Sequence, residues 1–209
     1  MSMYEAINPD NFGVLKSKIP EDLKNKLLEE SKSVIRDDNE MISGLSYPGG
    51  AKHYYVNSTF KELENYIKDF TSQYEKHFPG IANLRVLTSN LPFVLTRPWF
   101  NFQKKGEYLP QHNHDGLFSY NIWLKIPYEY DEEVVRNANH IEGDVLRCFE
   151  FTYMTTDGRF KFHKIPLSKD DEGTIVMFPA KLPHIVYPFH SSDGVRISVA
   201  GNIAFKSDE

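Results

Sequence analysis

Gln111-His112-Asn113-His114-Asp115-Gly116 lies between two runs with the every-other-residue rhythm of β-strands, Arg97–Gln103 and Phe118–Ile126. On an extended chain residues i and i+2 project to one side, so His112 and His114 present their imidazoles to a single point. Two ring nitrogens do not close a site. The third is expected from His184, in Phe178-Pro179-Ala180-Lys181-Leu182-Pro183-His184, which also stands at the mouth of an expected strand. Twelve residues further on is Arg196, in Val195-Arg196-Ile197-Ser198-Val199. A cation and a hydroxyl two apart on one strand face can grip a carboxylate.

Working outward, strands are expected at Leu84–Leu87, Arg97–Gln103, Phe118–Ile126, Val145–Met154, Phe160–Ile165, Thr174–Phe178, Ile185–Phe189 and Val195–Phe205, separated by Gly, Pro, Asp and Asn. Upstream the period is helical. Pro20, Glu21 and Asp22 suit the first turn of a helix running to about Ile35, with Leu23, Leu27, Leu28, Val34 and Ile35 as its apolar stripe and Ser17 or Lys18 near its cap. A second helix opens at Asn57-Ser58-Thr59, Glu62 serving as capping-box partner to Thr59, and carries Phe60, Leu63, Tyr66, Ile67, Phe70 and Tyr74 inward until Pro79-Gly80 stops it. A short entry strand is expected around Phe12–Leu15. Residues 36–57 and 128–143 read as loops, the latter acidic, and either can contact a substrate. The expected architecture is mainly β (α+β): one domain over 1–209, in which a jelly roll at 84–205 rests on helical support at 1–83.

Composition narrows the function classes. A net charge of −5 with scattered Lys and Arg leaves no basic footprint for nucleic acid. The single cysteine, Cys148, cannot close an internal disulfide and is expected as a small buried residue of its strand, which fits a reducing cytoplasm. No leader-like or membrane-spanning run is expected in the chain. Gly-rich phosphate loops, dinucleotide fingerprints and nucleophile elbows are absent from the sequence. His53, His77, His140, His163 and His190 are read as surface or hydrogen-bonded histidines without a ligand role. Monomer and homodimer are both open.

Three ligands on one face of an octahedral ion are the arrangement of mononuclear non-haem iron oxygenases, whose usual set is two histidines and a carboxylate. Parity makes His114 the ligand and turns Asp115 to the other face, where it is expected to accept the N–H of a ligand ring; a local turn at Asp115-Gly116 would reverse the two. An inward Arg196 needs a partner, which a dicarboxylic cosubstrate supplies.

The runs Trp99-Phe100-Asn101-Phe102-Gln103, His112-x-His114, Ser119 to Pro127, Gly173-x-x-x-x-Phe178-Pro179-x-x-Leu182-x-His184-x-x-x-Pro188 and Arg196-Ile197-Ser198 to Asn202 resemble the 2-oxoglutarate and iron(II)-dependent oxygenase superfamily, in particular its HxH members of marine bacteria and their phages. The resemblance covers residues 97–203. It implies a double-stranded β-helix (cupin-like) and a dioxygenase, most simply a hydroxylase, that couples decarboxylation of 2-oxoglutarate by O₂ to oxidation of a substrate C–H bond. It further implies His112, His114 and His184 as catalytic Fe(II) ligands, Arg196 and Ser198 on the distal carboxylate of 2-oxoglutarate, and Asn101 in contact with the cosubstrate. Two alternatives stand beside it: a three-histidine cupin-type dioxygenase that uses no 2-oxoglutarate, and a catalytically silent jelly-roll binding or structural protein. No residue code for the primary substrate is legible.

Overall fold

The computed structural model describes residues 13–36, 42, 52–79, 93–129, 131–133 and 146–206. Eleven strands and two long helices are formed among them. The strands are β1 (Leu15–Lys18), β2 (Lys52–Tyr55), β3 (Phe93–Leu95), β4 (Trp99–Gln103), β5 (Leu109–His112), β6 (Phe118–Lys125), β7 (Phe149–Met154), β8 (Phe160–Ile165), β9 (Thr174–Pro179), β10 (His184–Val186) and β11 (Arg196–Phe205). The helices are α1 (Glu21–Arg36) and α2 (Phe60–His77).

Two antiparallel sheets result. The larger has seven strands in the order β1-β9-β6-β11-β4-β2, with β3 also on β11; the smaller has four, β5-β10-β7-β8. The large sheet is covered on both faces, and its strands are written accordingly. On β6, Phe118, Tyr120, Ile122 and Leu124 face the helices, where they meet Leu23 and Leu27 of α1 and Leu63, Ile67, Phe70 and Tyr74 of α2. The intervening Ser119, Asn121 and Trp123 face the other way, and Trp123 packs between the sheets with Val176, Phe178, Phe149, Phe151 and Ile165. Burial on both faces removes the polar half of the alternation, because every position needs a side chain that tolerates dryness.

Several boundaries differ from those expected. The entry strand is three residues later than expected, at Leu15–Lys18, so Ser17 and Lys18 pair with β9 instead of capping α1. Pro20 then stands just ahead of α1, its carbonyl accepting from Lys24. Part of the expected loop at 36–57 is strand β2, the outer edge of the large sheet, paired with β4. The N-terminal 83 residues therefore contribute two edge strands as well as helices. The expected strand Leu84–Leu87 and most of both expected loops lie outside the described residues.

The cap of α2 is also different. Thr59 makes no side-chain capping bond, and Glu62 turns outward to Lys26 of α1. In its place Glu30 of α1, 6% exposed, accepts the backbone N–H of Asn57, Ser58 and Thr59 at 2.6, 2.8 and 2.8 Å. Burial by itself raises the pKa of this carboxyl, but those N–H groups and the Thr59 hydroxyl outweigh burial and hold it below the usual carboxylate value. One buried anion thus ties the two helices together at the positive end of α2. Replacing it leaves three donors dry, at about 1–3 kcal/mol each if none relaxes. Glu30→Ala is expected to lower stability by about 3 kcal/mol in urea unfolding. The depressed pKa means that Glu30 stabilises the fold above its unfolded value and loses that contribution as pH falls through the folded one; a loss under 0.5 kcal/mol would mean that water replaces it freely.

Candidate metal centre

The three singled-out histidines meet at one end of the space between the sheets. Antiparallel pairing of β5 with β10 sets His184 directly opposite His112, and β10 is held on its other side by β7. Beyond β5 the chain is pinned by a hydrogen bond of 2.9 Å from His114 N–H to the Ala180 carbonyl, which brings His114 back over the same spot. Gly116 makes the next turn possible. Its φ is +109°, and a β-carbon there would stand 2.8 Å from the Ile203 carbonyl oxygen, so the turn against β11 admits only glycine.

One nitrogen from each of His112, His114 and His184 lies within 4.8 Å of the others. The Nε2 atoms of His114 and His184 are 3.2 Å apart. Two imidazoles at right angles around one divalent ion, each about 2.1 Å from it, stand about 3 Å from each other, so this pair is already at a chelating separation.

The tautomers follow from the acceptors. His112 Nδ1 is 2.7 Å from the Pro110 carbonyl and His184 Nδ1 is 3.1 Å from that of Leu182. A carbonyl only accepts, so both Nδ1 atoms carry the proton and both Nε2 atoms expose a lone pair. The rings are held by aromatic contacts as well: Phe149 stacks on His184 at 5.1 Å and 19°, Phe178 meets it edge-on at 5.0 Å, and Trp99 lies 5.9 Å from His114.

The electrostatics favour neutral rings. Burial pushes His112 below its usual pKa; burial, then proximity to His112, brings His114 down to about 4; and burial, then both neighbouring rings, holds His184 well below the ordinary range. The arrangement offers a cation two lone pairs already exposed, at His112 and His184, beside a third neutral ring at His114.

Asp115 plays neither expected part. It is fully exposed and ion-paired with Lys181 at 2.8 Å, and that ammonium keeps its pKa low. The turn carries its carboxylate outward. The ligand rings are oriented by main-chain carbonyls instead.

Arg196 is 2% exposed and faces inward, on the strand face that it shares with Ser198 and Ala200. It packs near the rings of Phe189 and Tyr128, and it donates four hydrogen bonds: Nε and Nη2 to Gln103 Oε1, Nη2 to the Tyr187 carbonyl and Nη1 to the Tyr128 hydroxyl. A guanidinium has five N–H groups, so a carboxylate can take one Nη1–H here, not a two-pronged fork. Among the described residues its partners are all neutral. Asn101 donates from Nδ2 to Ser198 Oγ at 3.1 Å, and its Oδ1 accepts the indole N–H of Trp99 at 3.0 Å. Asn101 still lines the cavity.

That cavity, about 320 Å³, is walled by the three histidines with Trp99, Asn101, Phe149, Phe178 and Ala200. Three further lining residues carry buried polar atoms without a partner among the described residues: His53 at Nδ1, Tyr120 at its hydroxyl and Asn121 at Nδ2. His53, 3% exposed, was expected to have no ligand role; it stands opposite Asn101 across β2 and β4 with its ring in the cavity wall. A single histidine in a polar stretch carries no local signal, and the strand that turns it inward was itself read as loop. Tyr128 was equally hidden within the acidic segment. His77 and His163 do lie at the surface, and His140 is outside the described residues. Cys148 is buried, as expected, at the entrance to β7 rather than within it.

Comparison with known proteins bears on this geometry. Residues 97–202 match the family described as "Putative 2OG-Fe(II) oxygenase". No curated protein matches the sequence. Among solved structures, a Pseudomonas putida prolyl-4-hydroxylase superposes with a TM-score of 0.61 at 13% identity, covering 94% of each chain. HygX from Streptomyces hygroscopicus, solved with nickel and 2-oxoglutarate bound, gives 0.55 at 9% identity over 93% of this chain and 84% of its own. The viral collagen prolyl hydroxylase of Paramecium bursaria Chlorella virus 1, a 2-oxoglutarate complex, gives 0.52 at 16% over 92% and 96%. At such identities the likeness is one of fold, the double-stranded β-helix.

The depressed rings dictate a direction for acid sensitivity. His53, by burial and then by its neighbour His112, is brought to about 4 from 6.5, as His114 is by its own surroundings. An unfolded chain takes up those protons near 6.5 whereas the folded one refuses them until about 4, so stability is full above the unfolded value and declines as pH falls between the two. Thermal unfolding of metal-free protein over roughly pH 7.5 to 5 is expected to show a falling midpoint, and His53→Phe to flatten the slope. A midpoint constant over that range would contradict it.

Proposed function

The chain belongs to the 2OG-Fe(II) oxygenase family, and from that membership we propose that it hydroxylates a C–H bond of its substrate, with His112, His114 and His184 as the iron ligands and Arg196 and Ser198 on the far carboxylate of 2-oxoglutarate. The observation that carries this reading is the convergence of three imidazoles whose tautomers already expose Nε2 at two positions. Iron(II) with 2-oxoglutarate supplies, when bound, oxidative decarboxylation of the keto acid by O₂ coupled to oxidation of a substrate C–H bond. The residues fit that pair. Three nitrogen donors suit a divalent first-row metal and leave half of an octahedron for other ligands. Arg196, a buried cation with neutral partners among the described residues, supplies the charge that a carboxylate lacks.

The chain's own work is orientation and exclusion of water. Pro110 and Leu182 carbonyls fix the ring planes, while Phe149, Phe178 and Trp99 close the walls around them. At 2% exposure the charge of Arg196 is screened little by solvent. Because no carboxylate belongs to the triad, the centre carries one more unit of positive charge than the two-histidine, one-carboxylate type, which favours anionic ligands at the open positions. His53 and Asn121, each with an unused polar atom in the wall, are placed to orient an uncharged group of the substrate. No helix of the described residues is long and apolar enough to cross a membrane, and a reducing cytoplasm suits the one buried cysteine.

Anaerobic addition of 2-oxoglutarate to the iron(II) protein is expected to produce a weak visible charge-transfer band, and air then to yield succinate. His112→Ala, His114→Ala and His184→Ala each abolish both, whereas Asp115→Ala leaves them intact. Arg196→Met weakens 2-oxoglutarate binding by about 100-fold, the scale of truncating one partner of a buried charge pair. Stoichiometric metal without any affinity for 2-oxoglutarate would overturn the proposal.

A further inference from the structure

Ser198 has a hydroxyl whose direction the rest of the site decides. The deduction starts at Trp99, whose indole nitrogen can only donate. It points at Asn101 from the same strand face two residues away, and the contact of 3.0 Å is to Oδ1. The amide is thereby denied its flipped orientation, in which two N–H groups would confront each other. With Oδ1 committed, Nδ2 is the atom that faces Ser198 Oγ at 3.1 Å across the β4–β11 pairing. Ser198 must then accept. A hydroxyl that accepts from a neighbour keeps its own proton for something else, and the half-buried Ser198 has no other acceptor among the described residues.

We propose that Trp99 and Asn101 are positioning residues that make Ser198 an obligate hydrogen-bond donor toward the distal carboxylate of 2-oxoglutarate. This rests on the cosubstrate reading given above and adds a division of labour to it: Asn101 does not touch the keto acid but turns the group that does. The need for such a device lies in Arg196, which four hydrogen bonds leave with a single Nη1–H for a carboxylate that normally takes two donors. Ser198, two residues away on the same face, completes the pair only if its proton points out. The same indole lies against His114, so the element that orients the hydroxyl is registered to the metal end of the cavity.

The test compares two keto acids. Binding of 2-oxoglutarate and of 2-oxobutanoate, which lacks the distal carboxylate, is measured by calorimetry on the manganese(II)-loaded full chain under anaerobic conditions. Ser198→Ala is expected to weaken 2-oxoglutarate about tenfold, one charge-assisted hydrogen bond, and 2-oxobutanoate by less than about twofold. Trp99→Phe, which keeps a ring against His114 but removes the N–H, shows the same selectivity with a loss of about fivefold, and adds nothing in the Ser198→Ala background. Equal weakening of both acids, or additive losses in the double variant, makes the indole a packing residue and overturns the proposal. No effect of Trp99→Phe overturns it too, while the cosubstrate reading stands. Wild-type protein that binds neither acid overturns both together.

Discussion

Pairing of β5 with β10 is the contact on which the site depends, because it alone puts His112 and His184 side by side although they are far apart in the chain. Each of the two strands is short, and neither is stable without its neighbours. They hold because β10 is also laddered to β7, whose Phe149 and Phe151 fill the space against the large sheet. That sheet is in turn immobilised from behind by α1 and α2, themselves joined through Glu30. The metal centre therefore inherits its geometry from layers of packing that contain no ligand.

Charge is distributed unevenly between the sheets. Four imidazoles whose proton affinity burial lowers line the cavity, and the buried Arg196 of β11 stands among neutral acceptors. Burial lowers the proton affinity of the rings, whereas a guanidinium is a residue type that stays charged in proteins. The same dryness thus has opposite outcomes for two cationic residue types, and the site uses both.

The pairing of His112 with His114 was legible because strand parity acts over two residues, and the shared face of Arg196 and Ser198 was legible for the same reason. Long-range substitutions for local signals were not. The capping-box spacing of Thr59 and Glu62 is present, yet Glu30, 27 residues away in its bond to Asn57, supplies the carboxylate. β2 went unread since Lys52-His53-Tyr54-Tyr55 is polar and gains strand character only by pairing with β4. With it went His53. Parity set Asp115 apart from the ligand pair, as the structure has it, but its expected role as acceptor for a ligand ring fails because the exposed carboxylate pairs with Lys181. Arg196 was expected to find its partner in a dicarboxylic cosubstrate; the partners that the fold supplies were not legible, because Gln103, Tyr128 and the Tyr187 carbonyl come from three separate segments.

In many metal proteins a side-chain carboxylate holds the second nitrogen of a ligating histidine, and a single codon change can remove it. Here that duty falls to the Pro110 and Leu182 carbonyls, atoms that every amino acid possesses. Drift at those two positions can alter bulk and flexibility without deleting the acceptor. Tautomer control in this centre is thereby inherited with the path of the main chain, and it is insulated from most point substitutions at the residues that exert it.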